Sequence, residues 1–203
     1  MRIGFLASGD GSNLQAMLDA CADGRLAAIP AVMIGNNSKA RCFERATAAG
    51  VPAVHISSLT HPDDGERDAA TLATLHAHRA TIVCVAGYMK KLGPQTVAAY
   101  RNRILNIHPA LLPDYGGDGM YGERVHAAVL RAGATESGAS VHLVDEIYDH
   151  GPLVAQARVP VLPDDDVQTL AARVLVEEHR LYVDTLRRIA DGRITLPARR
   201  VRE

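Results

Sequence analysis

The feature that most constrains the fold is a repeated alternation of short apolar runs with helical segments. The run Arg2–Ala7 is followed by apolar residues at helical spacing, and this alternation returns about every 25 residues as far as His108. The continuous apolar run Thr81–Ala86 is typical of a central parallel strand that is covered on both faces. Right-handed crossovers between successive parallel strands are the simplest topology for such a chain. The sequence therefore predicts an α/β fold with a Rossmann-like N-terminal half, in which helices cover both faces of a mostly parallel, twisted sheet.

The C-terminal half follows a different pattern. Ala139–Val144 alternates like a half-exposed strand, and Pro152–Val161 is its predicted partner in an antiparallel hairpin. A chain of 203 residues that is 47% hydrophobic can bury one sizeable core. We therefore expect a single domain over residues 1–195, followed by a basic tail over residues 196–203.

Charge and cysteine content exclude several classes of protein. The formal net charge is −1 with both signs interspersed, which argues against nucleic-acid and membrane partners and favours small molecules. The three cysteines are widely spaced and odd in number, so neither a disulfide framework nor a metal site is predicted. No apolar run approaches the roughly 20 residues that span a bilayer. The sequence predicts a cytoplasmic protein, and it leaves open whether that protein is a monomer or a homodimer.

The stretch Ile104–Pro113 contains the clearest candidates for catalysis. Its apolar start is typical of a buried strand, and Pro109 ends that strand directly after His108. Period-two alternation places Asn106 and His108 on one side, at the strand's carboxyl end, where open α/β sheets form their ligand crevices. An amide and an imidazole suit the stabilisation of an oxyanion. The alternative is that Asn106 caps a turn and His108 is an ordinary loop histidine.

A glycine turn joins the first strand to the first helix. The segment Ser8–Asn13 presents backbone N–H groups at the positive end of a helix dipole, which favours a bound phosphate. The position of the third glycine in a dinucleotide fingerprint is occupied by Leu14, and no carboxylate follows the second strand, so NAD is excluded. Two interpretations remain: Gly11, Ser12 and Asn13 hold a monophosphate, or the serine simply caps the helix.

Three further features are candidates for a site at this edge. An acid in the turn Asp145–Gly151, with Asp149 the best candidate, either faces solvent or turns inward to pair with His108, which would raise the histidine pKa above about 6.5. Met89 and Leu92 either wall an apolar ligand pocket or pack under the next helix. Glu178 interrupts an apolar helix face, as a ligand contact or as the partner of an arginine. The glycine-rich loop over residues 116–122 is typical of a mobile segment that closes over a site.

Four segments together resemble the phosphoribosylglycinamide formyltransferase family of the formyltransferase superfamily, and the likeness runs from residue 2 to about residue 195. They are Gly9–Gln15, Ala86–Met89, Leu105–Pro113, and Val141-His142 followed by Asp149. The resemblance implies transfer of the formyl group of 10-formyltetrahydrofolate, as cosubstrate, to the amine of 5'-phosphoribosylglycinamide in purine (IMP) biosynthesis. It implies no metal and no covalent enzyme intermediate.

The resemblance also implies roles by position. The catalytic residues are Asn106, His108 and Asp149; the ribonucleotide is bound by Gly11, Ser12, Asn13 and Glu178; the folate is bound by Met89, Lys90, Lys91, Leu92, Asn106, Val144, Asp145, Glu146, Ile147 and Tyr148. Three departures accompany it. Asp64 stands where many relatives carry an arginine, a contact that we do not transfer to Arg67; the loop over residues 116–122 is longer; and His150 replaces a small residue, either crowding the pocket or facing solvent.

Other functions remain open at this point. A sugar-nucleotide formyltransferase or a formyltetrahydrofolate hydrolase would use the same scaffold. A tRNA formylase would need an additional domain and a basic face, which the length and charge of the chain do not provide. From a different class, a non-catalytic module would bind a phosphate ligand in the glycine loop without turnover.

Overall fold

The structure is a computed structural model, and it describes residues 1–198. Its strands are β1 Arg2–Ala7, β2 Ile29–Gly35, β3 Ala53–His55, β4 Ile82–Val85, β5 Ile104–His108, β6 Glu136–Leu143 and β7 Leu153–Pro160. Its helices are α1 Ser12–Ala22, α2 Arg41–Ala48, α3 Asp64–Ala77, α4 Pro94–Ala99, α5 Glu123–Arg131 and α6 Val167–Ala190. Within the described residues, no helix is both long and apolar enough to cross a bilayer. The domain boundary at residue 195 stays a prediction, and residues 199–203 of the predicted tail lie outside the described residues.

The seven strands form one sheet in the order β3-β2-β1-β4-β5-β6-β7. The first five strands of this order run parallel, while β6 is antiparallel to β5, and β7 is antiparallel to β6. The predicted fold class is therefore confirmed, including the C-terminal hairpin. The connections turn in opposite directions from β1 and from β4, so a crevice opens where the carboxyl ends of these two strands meet.

Helices cover both faces of the sheet. Along β1, Phe5 belongs to the apolar cluster shared with α1, α2, α5 and α6, whereas its neighbour Leu6 belongs to the cluster shared with α3 and α4. This division follows from the alternation of side chains along a strand. The two cores together fix the position of the crevice between the flanking helices.

Helix α3 begins at Asp64, where the Asp63 carboxylate accepts a hydrogen bond from the Glu66 N–H at 3.0 Å and caps the helix. One strand differs from the sequence prediction in its start and in its environment. Strand β6 begins at Glu136, and its residues Ser137–Leu143 are buried, so the prediction of a half-exposed strand was wrong. It lies between β5 and β7, and its polar residue Ser140 binds the backbone of the segment after β5.

Tyr182 of α6 ties two central strands together just below the crevice. Its buried hydroxyl lies 2.8 Å from the Leu105 carbonyl oxygen and 3.2 Å from that of Val85, so its single proton is shared between neighbouring strands of the parallel sheet. We expect Tyr182→Phe to lower the free energy of unfolding by about 1 to 2 kcal/mol, because the ring is kept and only the buried hydrogen bond is lost. Urea unfolding measures this, with Tyr121→Phe at an exposed position as the matched control. Equal midpoints for both variants would contradict the assignment.

Candidate active site

A cavity of about 870 Å³ opens at the carboxyl ends of β1, β4 and β5. Thirteen of the residues predicted to form the site line it: Asn13, Met89, Lys90, Lys91, Leu92, Asn106, His108, Val144, Asp145, Ile147, Tyr148, Asp149 and Glu178. Gly11, Ser12 and Glu146 are not among the lining residues. The segment Gly117–Gly122 closes part of the cavity wall, so the glycine-rich loop lies where the sequence predicted.

Asp149 is the centre of the polar part of this cavity. Its Oδ2 lies 3.4 Å from His108 Nδ1, and its Oδ1 lies 3.3 Å from His142 Nε2 and 3.5 Å from Asn106 Nδ2. The backbone N–H of Gly117 donates to Oδ2 at 3.0 Å. The pairing of Asp149 with His108 is therefore present, and the alternation along β5 brings Asn106 and His108 to the same carboxylate.

The turn between β6 and β7 brings Asp149 to this position. Asp149 adopts a left-handed backbone conformation with φ of 53°, which aspartate tolerates better than most residues. Gly151 closes the turn so tightly that a Cβ atom there would lie 1.9 Å from the Leu143 carbonyl oxygen. Only glycine allows this approach, and the carboxylate is thereby held above the end of β5.

Burial dominates the ionisation of His108. The side chain is 4% exposed, and this desolvation lowers its pKa below the ordinary 6.5, although the charge of Asp149 and a hydrogen bond to the Tyr115 carbonyl act in the opposite direction. The expectation that Asp149 would raise the pKa above 6.5 was wrong, because the loss of hydration outweighs the ion pair. His108 Nε2 lies 2.8 Å from the Tyr115 oxygen, so the protonated ring donates to an acceptor at each nitrogen.

The carboxyl group of Asp149 is held in its charged form. Burial by itself raises its pKa, but the hydrogen bond from His142, the charge of His108 and the Gly117 N–H lower it below the ordinary 3.8. His142 was given no role from the sequence. Its signal was present in the alternation along β6, because His142 stands opposite Asn106 in the antiparallel register.

The glycine turn leads directly into α1. Gly11 caps the helix with φ of 76°, and a Cβ atom there would lie 2.7 Å from Cys42 Cβ, so glycine is required on both counts. The first N–H groups of α1, which begins at Ser12, have no acceptor within the helix, and such N–H groups favour a bound anion. This geometry agrees with the monophosphate interpretation.

Asn13 and Glu178 form a buried pair beside this turn. Asn13 Nδ2 donates to Glu178 Oε2 at 2.6 Å, while Asn13 Oδ1 is buried with no partner of its own. The partner of Glu178 in the described part of the chain is thus an asparagine, and the arginine alternative is not what the structure has. Burial raises the pKa of Glu178 to about 7, against the opposing effect of the Asn13 hydrogen bond.

The raised pKa makes Glu178 a source of pH-dependent stability. A carboxyl group whose pKa rises from 4.5 to about 7 on folding stabilises the protein fully below pH 4.5, and this contribution is lost as the pH rises through 7. We expect Glu178→Gln to be about as stable as the wild type at pH 5 and more stable at pH 8, by at most about 3 kcal/mol. Thermal and urea unfolding at both pH values measure this. A stability difference that does not change with pH would contradict the buried-carboxyl interpretation.

The predicted folate wall divides into two parts. Met89, Ile147 and Tyr148 are exposed at the cavity mouth, where Lys91 Nζ lies 5.6 Å from the centre of the Tyr148 ring. Leu92 both lines the cavity and packs in the core shared with α4, so the two interpretations of this residue are compatible. Glu146 points elsewhere and forms an ion pair with Arg101.

The structure accounts for two of the positions at which the sequence differs from the family pattern. Arg67 donates to the backbone oxygens of His61 and Pro62 and pairs with Asp64, so its guanidinium is used locally within its own loop. The His150 side chain is 70% exposed and lies 3.6 Å from Asp145, so it faces solvent and does not crowd the cavity. Among residues 1–198, no group of three or more His, Cys, Asp or Glu side chains is arranged to hold a metal ion.

Comparison with known proteins accounts for this arrangement. The family model described as formyl transferase matches residues 1–186. The chain belongs to the formyl transferase family. The resemblance to phosphoribosylglycinamide formyltransferases is confirmed by the protein of that name from Escherichia coli K12, which is 37% identical over 197 residues that cover 97% of this chain and 90% of the relative.

Two further relatives extend the comparison. The crystal structure of glycinamide ribonucleotide transformylase 1 from Symbiobacterium toebii has a TM-score of 0.91 and 43% identity, and the alignment covers 100% of this chain and 93% of that one. The chloroplastic phosphoribosylglycinamide formyltransferase of Arabidopsis thaliana is 39% identical over 194 residues, which cover 95% of this chain. The formyltransferase chain spans only 66% of the length of that plant relative.

Proposed function

We propose that this formyltransferase transfers the formyl group of 10-formyltetrahydrofolate to the amine of 5'-phosphoribosylglycinamide in purine (IMP) biosynthesis. The observation that carries the proposal is the convergence of Asn106, His108 and Asp149 in one cavity with the Asn13–Glu178 pair. A transferase for a phosphorylated amine needs an oxyanion site beside an anion site; Asn106 and His108 line this cavity, and so does Asn13, which belongs to the glycine turn proposed for the anion. The Escherichia coli relative, a phosphoribosylglycinamide formyltransferase, supports the same reaction.

The ribonucleotide fits the end of the cavity at α1. We assign its phosphate to the backbone N–H groups of Gly11, Ser12 and Asn13, at the positive end of the helix dipole. The unpartnered Asn13 Oδ1 and the Glu178 carboxyl group are acceptors suited to the ribose hydroxyls. The glycinamide amine would then extend toward His108.

The formyl folate fits the apolar part of the cavity. Its proposed contacts are Met89, Lys90, Lys91, Leu92, Asn106, Val144, Asp145, Glu146, Ile147 and Tyr148. Of these, Glu146 would act only through its loop, since it does not line the cavity and pairs with Arg101. Apolar walls with a few polar groups at one end are the usual design of a pocket for a flat heteroaromatic ligand.

The chemistry is a direct transfer. The neutral glycinamide nitrogen attacks the formyl carbon and forms a C–N bond, and the carbonyl oxygen becomes an oxyanion that is stabilised by Asn106 and by the positive charge of protonated His108. The bond between the formyl carbon and N10 of the folate then breaks, and the proton lost by the amine balances the one gained by N10. Asp149 stabilises the charged imidazole throughout. No step requires a metal ion, and the partners of the proposal are small molecules handled in the cytoplasm by a monomer or homodimer.

One assay separates this proposal from its rivals. The purified protein is mixed with 10-formyltetrahydrofolate and glycinamide ribonucleotide, and formation of tetrahydrofolate and of formylglycinamide ribonucleotide is followed separately. The proposal predicts equal amounts of both products and no folate turnover without the ribonucleotide. Formate release in the absence of an amine would instead indicate a hydrolase, turnover only with an amino-sugar nucleotide would indicate the sugar enzyme, and phosphate binding without turnover would indicate a binding module.

A further inference from the structure

Helix α2 packs against the outside of the glycine turn. Arg45, whose side chain is 18% exposed, donates from Nε to the Asp10 backbone oxygen at 2.8 Å and from Nη1 to Gln15 Oε1 at 3.2 Å. Its Nη2 also lies 2.8 Å from Asp10 Oδ2. One guanidinium therefore donates hydrogen bonds to a backbone carbonyl and a carboxylate of the turn and to a side-chain amide in the first turn of α1. Such a fork of donors fixes orientation as well as charge.

These contacts determine where two peptide N–H groups of the turn point. The N–H of Cys42 donates to the Gly9 oxygen at 3.2 Å, and Arg45 donates to the Asp10 oxygen, so both carbonyls face α2. In a trans peptide the N–H points opposite to the C=O. The N–H groups of Asp10 and Gly11 therefore point away from α2. Successive N–H groups turned to one side form a concavity that binds anions.

Two arginines of α2 balance the negative charge of Asp10. A carboxylate next to a phosphate site would repel the ligand, but Asp10 pairs with Arg45 and also with Arg41, whose Nη1 lies 3.3 Å from Oδ1. The two arginines differ in one useful respect. Arg41 is 65% exposed and contacts only the carboxylate, whereas Arg45 also holds the backbone carbonyl.

We infer that Arg45 is a positioning residue for the ribonucleotide phosphate, and that it acts by holding the Asp10–Gly11 peptide with its N–H turned toward the ligand. This inference rests on the proposed function, because it needs the glycine turn to be the phosphate site. Arg45 contacts the turn from behind and is not among the residues that line the cavity. Its effect on the ligand is therefore transmitted through the backbone.

The test compares two variants that remove the same charge. We expect Arg45→Ala to weaken the binding of glycinamide ribonucleotide and of inorganic phosphate, measured by calorimetry, about tenfold or more, since a mispositioned donor loses most of its hydrogen bond. We expect Arg41→Ala to change both affinities by less than about threefold, as is usual for an exposed ion pair. Arg45→Lys should fall between the wild type and Arg45→Ala, because a single ammonium cannot hold the carbonyl and the carboxylate together. The KM for the formyl folate and the kcat at saturating ribonucleotide should stay close to the wild-type values.

Each other result has a definite meaning. Equal losses in Arg45→Ala and Arg41→Ala would show that charge alone matters and would overturn the inference, as would wild-type affinity in Arg45→Ala. If Arg45→Ala has a lower unfolding midpoint than the wild type, the comparison is made with Arg45→Lys, and wild-type affinity there overturns the inference. A wild-type protein that binds inorganic phosphate without formyl transfer would refute the proposed function and leave Arg45 testable. One that binds neither ligand would refute the phosphate site and this inference together.

Discussion

His108→Ala is expected to lower kcat about a thousandfold while leaving the affinity for glycinamide ribonucleotide within about twofold of the wild type. The variant removes the positive charge that stabilises the developing oxyanion, and it leaves the Asn13–Glu178 pair and the glycine turn intact. Single-turnover kinetics at saturating concentrations of both substrates measure the chemical step directly. Calorimetry measures the binding of the ribonucleotide alone.

The controls separate charge from mere occupancy of the site. His108→Gln keeps a neutral donor but cannot become a cation, so we expect most of the rate to be lost in this variant too. His76→Ala removes an exposed histidine on α3, outside the cavity, and should have the wild-type rate. A His108→Gln enzyme with nearly full activity would show that hydrogen bonding without charge suffices. A His108→Ala enzyme with nearly full activity would refute the mechanism.

The part of the site that the sequence could predict depends on short-range geometry. The relation of Asn106 to His108 follows from the period of a strand, and the end of that strand follows from Pro109. The glycine turn before α1 is likewise a local signal, because the backbone conformation at Gly11 excludes most other residues. Such features need no knowledge of what packs against them.

The features that the sequence did not predict correctly depend on contacts between distant segments. The His108 pKa is lowered because burial outweighs the opposing effects of the Asp149 charge and of the Tyr115 carbonyl, which a loop brings to the ring. The burial of β6 depends on its place between β5 and β7. Arg45 reaches Asp10 across 35 residues of sequence, and nothing in the pattern of α2 distinguishes it from an ordinary surface arginine. The pKa of a buried group, the burial of a strand and a hydrogen bond between distant residues all depend on tertiary packing, which a local sequence pattern does not encode.

Asp149→Asn is expected to cost more activity as the pH rises. In the wild type, burial lowers the His108 pKa, and the Asp149 charge partly offsets this effect. Removing that charge lowers the histidine pKa further, so the variant loses its imidazolium at a lower pH than the wild type. Below both pKa values the two enzymes differ only by a constant factor. Between the two pKa values, the ratio of wild-type to variant kcat/KM grows about tenfold for each pH unit. Above both pKa values the ratio is constant again.

A pH profile of kcat/KM for both enzymes tests this sign, with Asp114→Asn, an exposed acid two residues before the glycine-rich loop, as the matched control. We expect the control to follow the wild-type profile, because Asp114 contributes no charge to the cavity lining. The asparagine at position 149 retains an acceptor for the Gly117 N–H, so the loop contact survives and the change in profile reports on charge. A large loss that is the same at every pH would mean that Asp149 serves mainly to hold Asn106, His142 and the loop in place. A wild-type kcat/KM that does not fall as the pH rises through the His108 pKa would mean that the charged imidazole is not the active form, and the proposed imidazolium mechanism would then be wrong.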